Sequence, residues 1–189
     1  WEGSFEDYLK IVKEDPGRLL VGFDKRNDAW LPYWLRMPHM VMASDSMPSY
    51  KDWDADFSEY HGHPRTAGAR GKTLRLGREF DVPLMFTLAQ LSYWHAKHLG
   101  EAGIEQMQVR GRMQEGMVAD ITMFDPETVT DNSTFAKGNL PSSGIPHVIV
   151  NGIIVMKDSE PIKRFDAGQP IRFEAQEKGR FEPLTEEGW

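Results

Sequence analysis

A chain of 189 residues with 40% apolar and 27% charged residues can hold one sizeable core, or a partial domain with a small second one, and is neither disordered nor fibrous in composition. Its formal net charge of -7, carried by interspersed acidic and basic residues, excludes a nucleic-acid surface, because phosphate binding needs clustered Lys and Arg. No run of about eighteen apolar residues is present, so no membrane partner is expected, and with no cysteine the chain has neither disulfides nor thiolate metal ligands.

The first element is a short amphipathic helix from Ser4 to Lys13, with Phe5, Tyr8, Leu9 and Val12 at helical spacing behind Ser4 as N-cap, ended by Asp15-Pro16-Gly17. The chain opens on Trp1 without an initiator Met, and its first residues lack the basic and apolar regions of a signal peptide. We therefore expect an N-terminal part preceding it, and a cytoplasmic location. Leu19 to Phe23 reads as a buried strand, Ala29 to Arg36 as a helix, and His39 to Ala43 as a second strand buried on both faces that runs into Ser44-Asp45-Ser46. Strand, helix and buried strand together predict parallel α/β architecture.

From Met47 to Arg70 periodicity is lost and Asp, Tyr, Trp, His and Pro abound, as in a long loop over a site. Helical patterning returns from Lys72 to Phe80 and from Thr87 to Leu99, where Leu88, Leu91, Trp94, His95 and His98 fall near one face. After Gly103 short strands with Gly punctuation are expected at Gly111–Gly116 and Ala119–Pro126. His147 to Val155 places two β-branched runs around Asn151-Gly152, the pair that favours a type I′ hairpin turn. The polar tail from Pro161 to Trp189 reads as an extended arm.

Asp45 stands where α/β sheets put reactive groups, at the carboxyl end of a buried strand before an irregular loop. A carboxylate there can take a proton from a water and return it to a departing amine; the plainer reading is a turn or cap residue. His61 and His63 form a His-x-His pair with no third ligand nearby, which is weak as a metal site. Arg65 suits a carboxylate, since the guanidinium offers a planar bidentate fork; a surface ion pair is the alternative. His39, His95, His98 and His147 read as packing or structural residues, and the dispersed Met residues as core filler.

Four stretches, in order, carry a resemblance: Met42-Ala43-Ser44-Asp45; His63-Pro64-Arg65; Gly111 to Pro126, with its Gly-x-x-x-x-Gly-x-x-Ala-Asp pattern; and Gly144 to Gly152. Together they resemble the C-terminal part of D-aminoacylase-type amidohydrolases, the N-acyl-D-amino-acid deacylases. The resemblance implies an α/β fold in which this chain supplies the last strands and helices of a TIM-type (β/α)8 barrel plus a small all-β, sandwich-like domain. The expected division is 1–103 for the barrel part, 104–160 for the β domain and 161–189 for the arm.

The implied reaction is zinc-dependent hydrolysis of the amide bond of N-acyl-D-amino acids. Asp45, at the end of the eighth barrel strand, is then the catalytic carboxylate and a candidate metal ligand. Arg65 binds the substrate carboxylate, with Ser46 and His63 near the same pocket. The remaining ligands for one or two zinc ions are expected upstream, on the N-terminal portion of the same enzyme or on a companion chain, so that this chain alone is inactive. Homo-oligomer contacts remain open. The competing readings are a dihydropyrimidinase-like amidohydrolase acting on another cyclic or linear amide, and a non-catalytic assembly subunit.

Overall fold

A computed structural model describes residues 4–15, 29–46, 63–135, 137–162 and 166–174. They fall into two compact units, Trp1–Leu31 and Pro32–Trp189. In the first unit, helix α1 spans Phe5–Glu14. Ser4 and Asp7 close a reciprocal capping box: the Asp7 amide donates to Ser4 Oγ at 3.2 Å and the Ser4 amide to Asp7 Oδ2 at 2.9 Å. These bonds hold the exposed Asp7 carboxyl below its ordinary value. The expected strand Leu19–Phe23 lies outside the described residues.

The short helix α2, Leu31–Trp34, matches the expected Ala29–Arg36 segment, and Leu35 behind it is buried. Arg36 donates to the Phe80 carbonyl. His39–Ala43 departs from expectation. The segment is extended, with Met40, Met42 and Ser44 half-buried and Val41, Ala43 and Asp45 exposed, the period of two of a strand. It pairs with no strand among the described residues; the Met42 amide instead donates to the Gln90 carbonyl at 3.2 Å. A parallel strand buried on both faces requires hydrogen-bonded neighbours on each side. Among the described residues the only sheet is antiparallel, so the expected barrel strands are not present there as a sheet.

Helix α3 runs Arg65–Glu79, beginning inside the stretch read as loop. Its first turns carry glycines rather than an apolar stripe, and these are packing positions. A Cβ on Gly68 would stand 2.2 Å from Ser133 Oγ, and one on Gly71 would stand 2.8 Å from Ser142 Cβ. The glycine face thus lets the 131–142 segment lie against the helix. Polar contacts fix it there: Ser133 Oγ donates to the Pro64 carbonyl (2.7 Å), Ser142 Oγ to the Ala67 carbonyl (3.2 Å), and Arg75 Nε pairs with Asp131 at 2.7 Å. Arg78 donates to the carbonyls of Pro126 and Val129.

The expected Thr87–Leu99 helix is a longer helical run: α4 (Leu84–Leu88), a π-helical turn (Ala89–Tyr93) and α5 (Trp94–Glu101). A π turn adds a residue and rotates the face that follows. The buried positions are accordingly Thr87, Gln90, Ala96 and Gly100, while His98 is exposed, in place of the stripe expected from regular periodicity. The short helix α6, Glu105–Gln108, follows. The core of this unit includes Leu35, Leu74, Leu76, Val82, Ala96, Ile104 and Val129.

Gly111–Gly116 forms turns rather than a strand, with φ +76° and +83° at the two glycines, values outside the strand region. The sheet is a meander, β1 (Ile121–Met123), β2 (His147–Val150), β3 (Ile153–Lys157) and β4 (Glu160–Pro161), in that order and antiparallel throughout. Val150 pairs with Ile153 across Asn151 (φ +50°) and Gly152 (φ +78°), the expected I′ hairpin. Asp120 supports it: Oδ1 accepts from the Asn151 amide at 2.7 Å while Oδ2 pairs with Arg110 at 3.1 Å. A second two-residue turn, Asp158-Ser159, has positive φ at both positions and leads to β4. A sandwich needs two facing sheets, and the described residues hold one. In the tail, residues 166–174 form neither helix nor strand, and the Arg172 amide donates to Gln106. No helix among the described residues is long and apolar enough to cross a membrane.

Candidate active site

Asp45 ends the extended 40–45 segment in the left-handed region, φ +46°, a conformation that Asp tolerates better than most side chains. Its carboxylate is turned to solvent, with 87% of the side chain exposed. The amide and hydroxyl of the neighbouring Ser46 engage Ser44 Oγ, at 3.4 and 3.0 Å, closing a small serine turn around Asp45.

Arg65 is the first residue of α3. The preceding Pro64 has no side chain able to cap the helix, and the Arg65 amide donates instead to His63 Nδ1 at 3.1 Å. This bond fixes the imidazole at the helix start and requires Nδ1 to carry no proton. The His63 ring lies edge-on to Phe135, centroids 5.0 Å apart. Desolvation, then the Arg65 charge, hold its pKa below the ordinary value against the opposing pull of Asp45, so His63 is biased towards the neutral form.

The guanidinium of Arg65 closes the site. Nη1 lies 3.1 Å from Asp45 Oδ2, while Nε is buried and has no hydrogen-bond partner among the described residues. The pair is solvent-exposed and contributes no more than about 1 kcal/mol to stability. Its significance lies in the arrangement, which puts a carboxylate, a bidentate cation and a neutral imidazole at one edge of the unit. Of the four residues singled out in the sequence, Asp45, Arg65 and His63 thus come together, and Ser46 contacts Ser44. His61 lies outside the described residues.

Other histidines pack. The His39 ring lies 5.6 Å from Trp94, and His147 is 4.0 Å from Asp158 in the β2–β3 region. His95 is half-buried, and burial foremost holds its pKa below the ordinary value. Gln90, within the π turn, is fully buried, and among the described residues neither of its side-chain amide atoms has a hydrogen-bond partner. Among the described residues no three His, Asp or Glu side chains cluster as a metal-binding set.

No protein-family model matches the chain. It is 32% identical over 126 residues, 66% of its length, to N-acyl-D-glutamate deacylase of Alcaligenes xylosoxydans xylosoxydans. It is 34% identical over 98 residues, 51% of its length, to D-aminoacylase from the same organism. It spans 23% and 19% of these relatives, roughly a quarter to a fifth of their length. Among solved structures, D-aminoacylase, described as defining a novel subset of amidohydrolases, superposes on 66% of the chain and 23% of its own with a TM-score of 0.53 at 28% identity. Sequence and fold therefore agree that the chain is related to amidohydrolases of the D-aminoacylase kind. Within that class its relatives are the N-acyl-D-amino-acid deacylases, the group that the four motifs resemble.

Proposed function

We propose that the chain takes part in hydrolysing the amide bond of N-acyl-D-amino acids, Asp45 moving the proton and Arg65 holding the substrate's α-carboxylate. The observation that carries this reading is the 3.1 Å approach of Arg65 to Asp45, which sets a carboxylate-binding fork beside a candidate base. The similarity to enzymes named for D-glutamate and D-amino-acid substrates supports it. The division into a barrel part (1–103), a β domain (104–160) and an arm (161–189) belongs to the same proposal.

The chemistry balances through a single carboxylate. Water adds to the acyl carbon as its proton passes to Asp45; the C–N bond then breaks, and Asp45 returns that proton to the nitrogen of the leaving D-amino acid. Arg65 holds the α-carboxylate through charge-assisted hydrogen bonds, fixing the scissile bond relative to Asp45. Neutral His63, tied to the Arg65 amide, positions the start of α3 and hence the guanidinium.

The resemblance also implies zinc, which when bound polarises a carbonyl and acidifies a water. The described residues do not form a cage for it: no set of three donors is present among them, and Asp45 is a single exposed carboxylate.

Asp45→Asn tests the reading in the active enzyme. Turnover is expected to fall about 100-fold or more while substrate binding persists, the range for loss of a general acid–base group. Wild-type turnover in this variant would remove Asp45 from the chemistry.

A further inference from the structure

A cavity of about 370 Å³ opens between the α3–α4 corner and the 124–129 segment, within the size range of small-molecule sites. Its floor is apolar, for Leu74, Val82 and Val129 are all buried. Thr87 lines it too at 1% exposure, and its Oγ1 has no hydrogen-bond partner among the described residues. A buried hydroxyl without a partner is costly, so one in a cavity wall marks a place for a ligand's polar atom.

The rim carries charge that the fold leaves unused. Arg78 is pinned through Nη1, which donates to the Pro126 and Val129 carbonyls at 2.8 and 3.1 Å. That leaves Nε and Nη2, an edge of the guanidinium able to grip a carboxylate by two parallel bonds. Asp81 and Glu127 stand at the same rim, and among the described residues neither carboxylate has a partner. The carboxylate of Asp125, by contrast, is occupied by the Glu127 amide and the Thr128 hydroxyl. One cation against two carboxylates disfavours a plain anion and suits a molecule that carries a carboxylate and an ammonium on an apolar body. Arg78 lies in the last turn of α3 and Arg65 in the first, about 20 Å apart at 1.5 Å per residue, so the cavity is separate from the Arg65 site.

We propose that this cavity is a second binding site, for a free amino acid with an apolar side chain: its carboxylate on Arg78, its ammonium on Asp81 and Glu127, its side chain against Leu74, Val82 and Val129. Hydrolysis of an N-acyl-D-amino acid releases such a zwitterion, so the site holds product away from Arg65. The identity of the occupant as product rests on the proposed reaction; the binding chemistry of the cavity does not.

The test titrates D-leucine into the full chain labelled with ¹³C at leucine and valine methyl groups, the Leu74 and Val82 signals being assigned by their loss in Leu74→Met and Val82→Ile. Both signals should shift saturably, in the wild type and in Arg65→Gln alike. 4-Methylpentanoate, which lacks the ammonium, and 3-methylbutylamine, which lacks the carboxylate, should each bind at least about fivefold more weakly. Arg78→Lys should weaken D-leucine binding about tenfold, since lysine has no fork. Should that variant not fold, the exposed Glu127→Gln serves, with an expected loss of about two- to fivefold. Unmoved Leu74 and Val82 signals overturn the site, and so does binding of 4-methylpentanoate as tight as that of D-leucine. Shifts that vanish in Arg65→Gln also overturn it, placing D-leucine at Arg65 and supporting the carboxylate reading there. If D-leucine binds as expected but the active enzyme leaves N-acetyl-D-leucine intact, the proposed reaction fails and the cavity stands.

Discussion

The Arg65 guanidinium meets Asp45 Oδ2 at 3.1 Å across an exposed edge, although the two residues are separated in sequence by the whole 46–64 segment. One residue closes an extended segment in a left-handed conformation and the other opens a helix, so their encounter depends on how α3 is seated rather than on either local structure.

Arg65→Ala should act chiefly on substrate affinity. Loss of charge-assisted hydrogen bonds to a carboxylate is expected to raise KM by about 10- to 100-fold, while kcat changes far less. Steady-state kinetics with N-acyl-D-amino acids checks this, and an unchanged KM would take Arg65 out of the pocket.

Gly71→Ala should destabilise the fold even though Ala is the better helix former. The added methyl would lie 2.8 Å from Ser142 Cβ and 3.3 Å from the Asp131 amide nitrogen, a clash with fixed atoms. The expected loss is about 1–3 kcal/mol, offset by at most about 1 kcal/mol of helix propensity. Thermal unfolding of Gly71→Ala, and partial recovery in the double variant with Ser142→Gly, would establish that the glycine is there to admit the 131–142 segment.

The hairpin turn offers a case with backbone strain alone. Gly152 has φ +78°, and a Cβ there meets nothing within 4 Å. Gly152→Ala should therefore cost about 1 kcal/mol from the left-handed conformation without any packing term. Equal stability of the variant by denaturant titration would show that the turn relaxes.

Stability should depend on pH through His95. Burial foremost lowers its pKa below the ordinary value of 6.5, opposed by the polar Met42 backbone and assisted by the Arg70 charge. With the folded value below the unfolded one, the unfolded chain binds the proton first as pH falls. The stabilising contribution is then complete above about pH 6.5 and is lost as pH drops through the folded value. Melting temperatures of the wild type and His95→Gln between pH 8 and 5 should converge on the acid side, and a pH-independent difference would assign His95 no proton linkage.

The features legible in the sequence are those fixed by neighbours along the chain. Ser4 and Asp7 cap α1 through bonds spanning one turn, and Asn151-Gly152 selects its hairpin because those residues tolerate positive φ. Asp45, Ser46, His63 and Arg65 stand out by residue type, placement and motif resemblance, whereas Gly111–Gly116, expected as a strand, forms turns because glycine punctuation fits these as readily. What tertiary structure alone decided lies between distant residues. Helix α3 starts at Arg65 because a glycine face, carrying no hydrophobic period, packs against Ser133 and Ser142. Gln90 is buried in a π turn that rotates the helix face, and its carbonyl holds Met42 of the 39–43 segment, which pairs with no strand among the described residues. Hydrogen bonds and steric fits within a turn or two are written in consecutive residues; those that seat Arg65 beside Asp45 arise only when the chain folds back on itself.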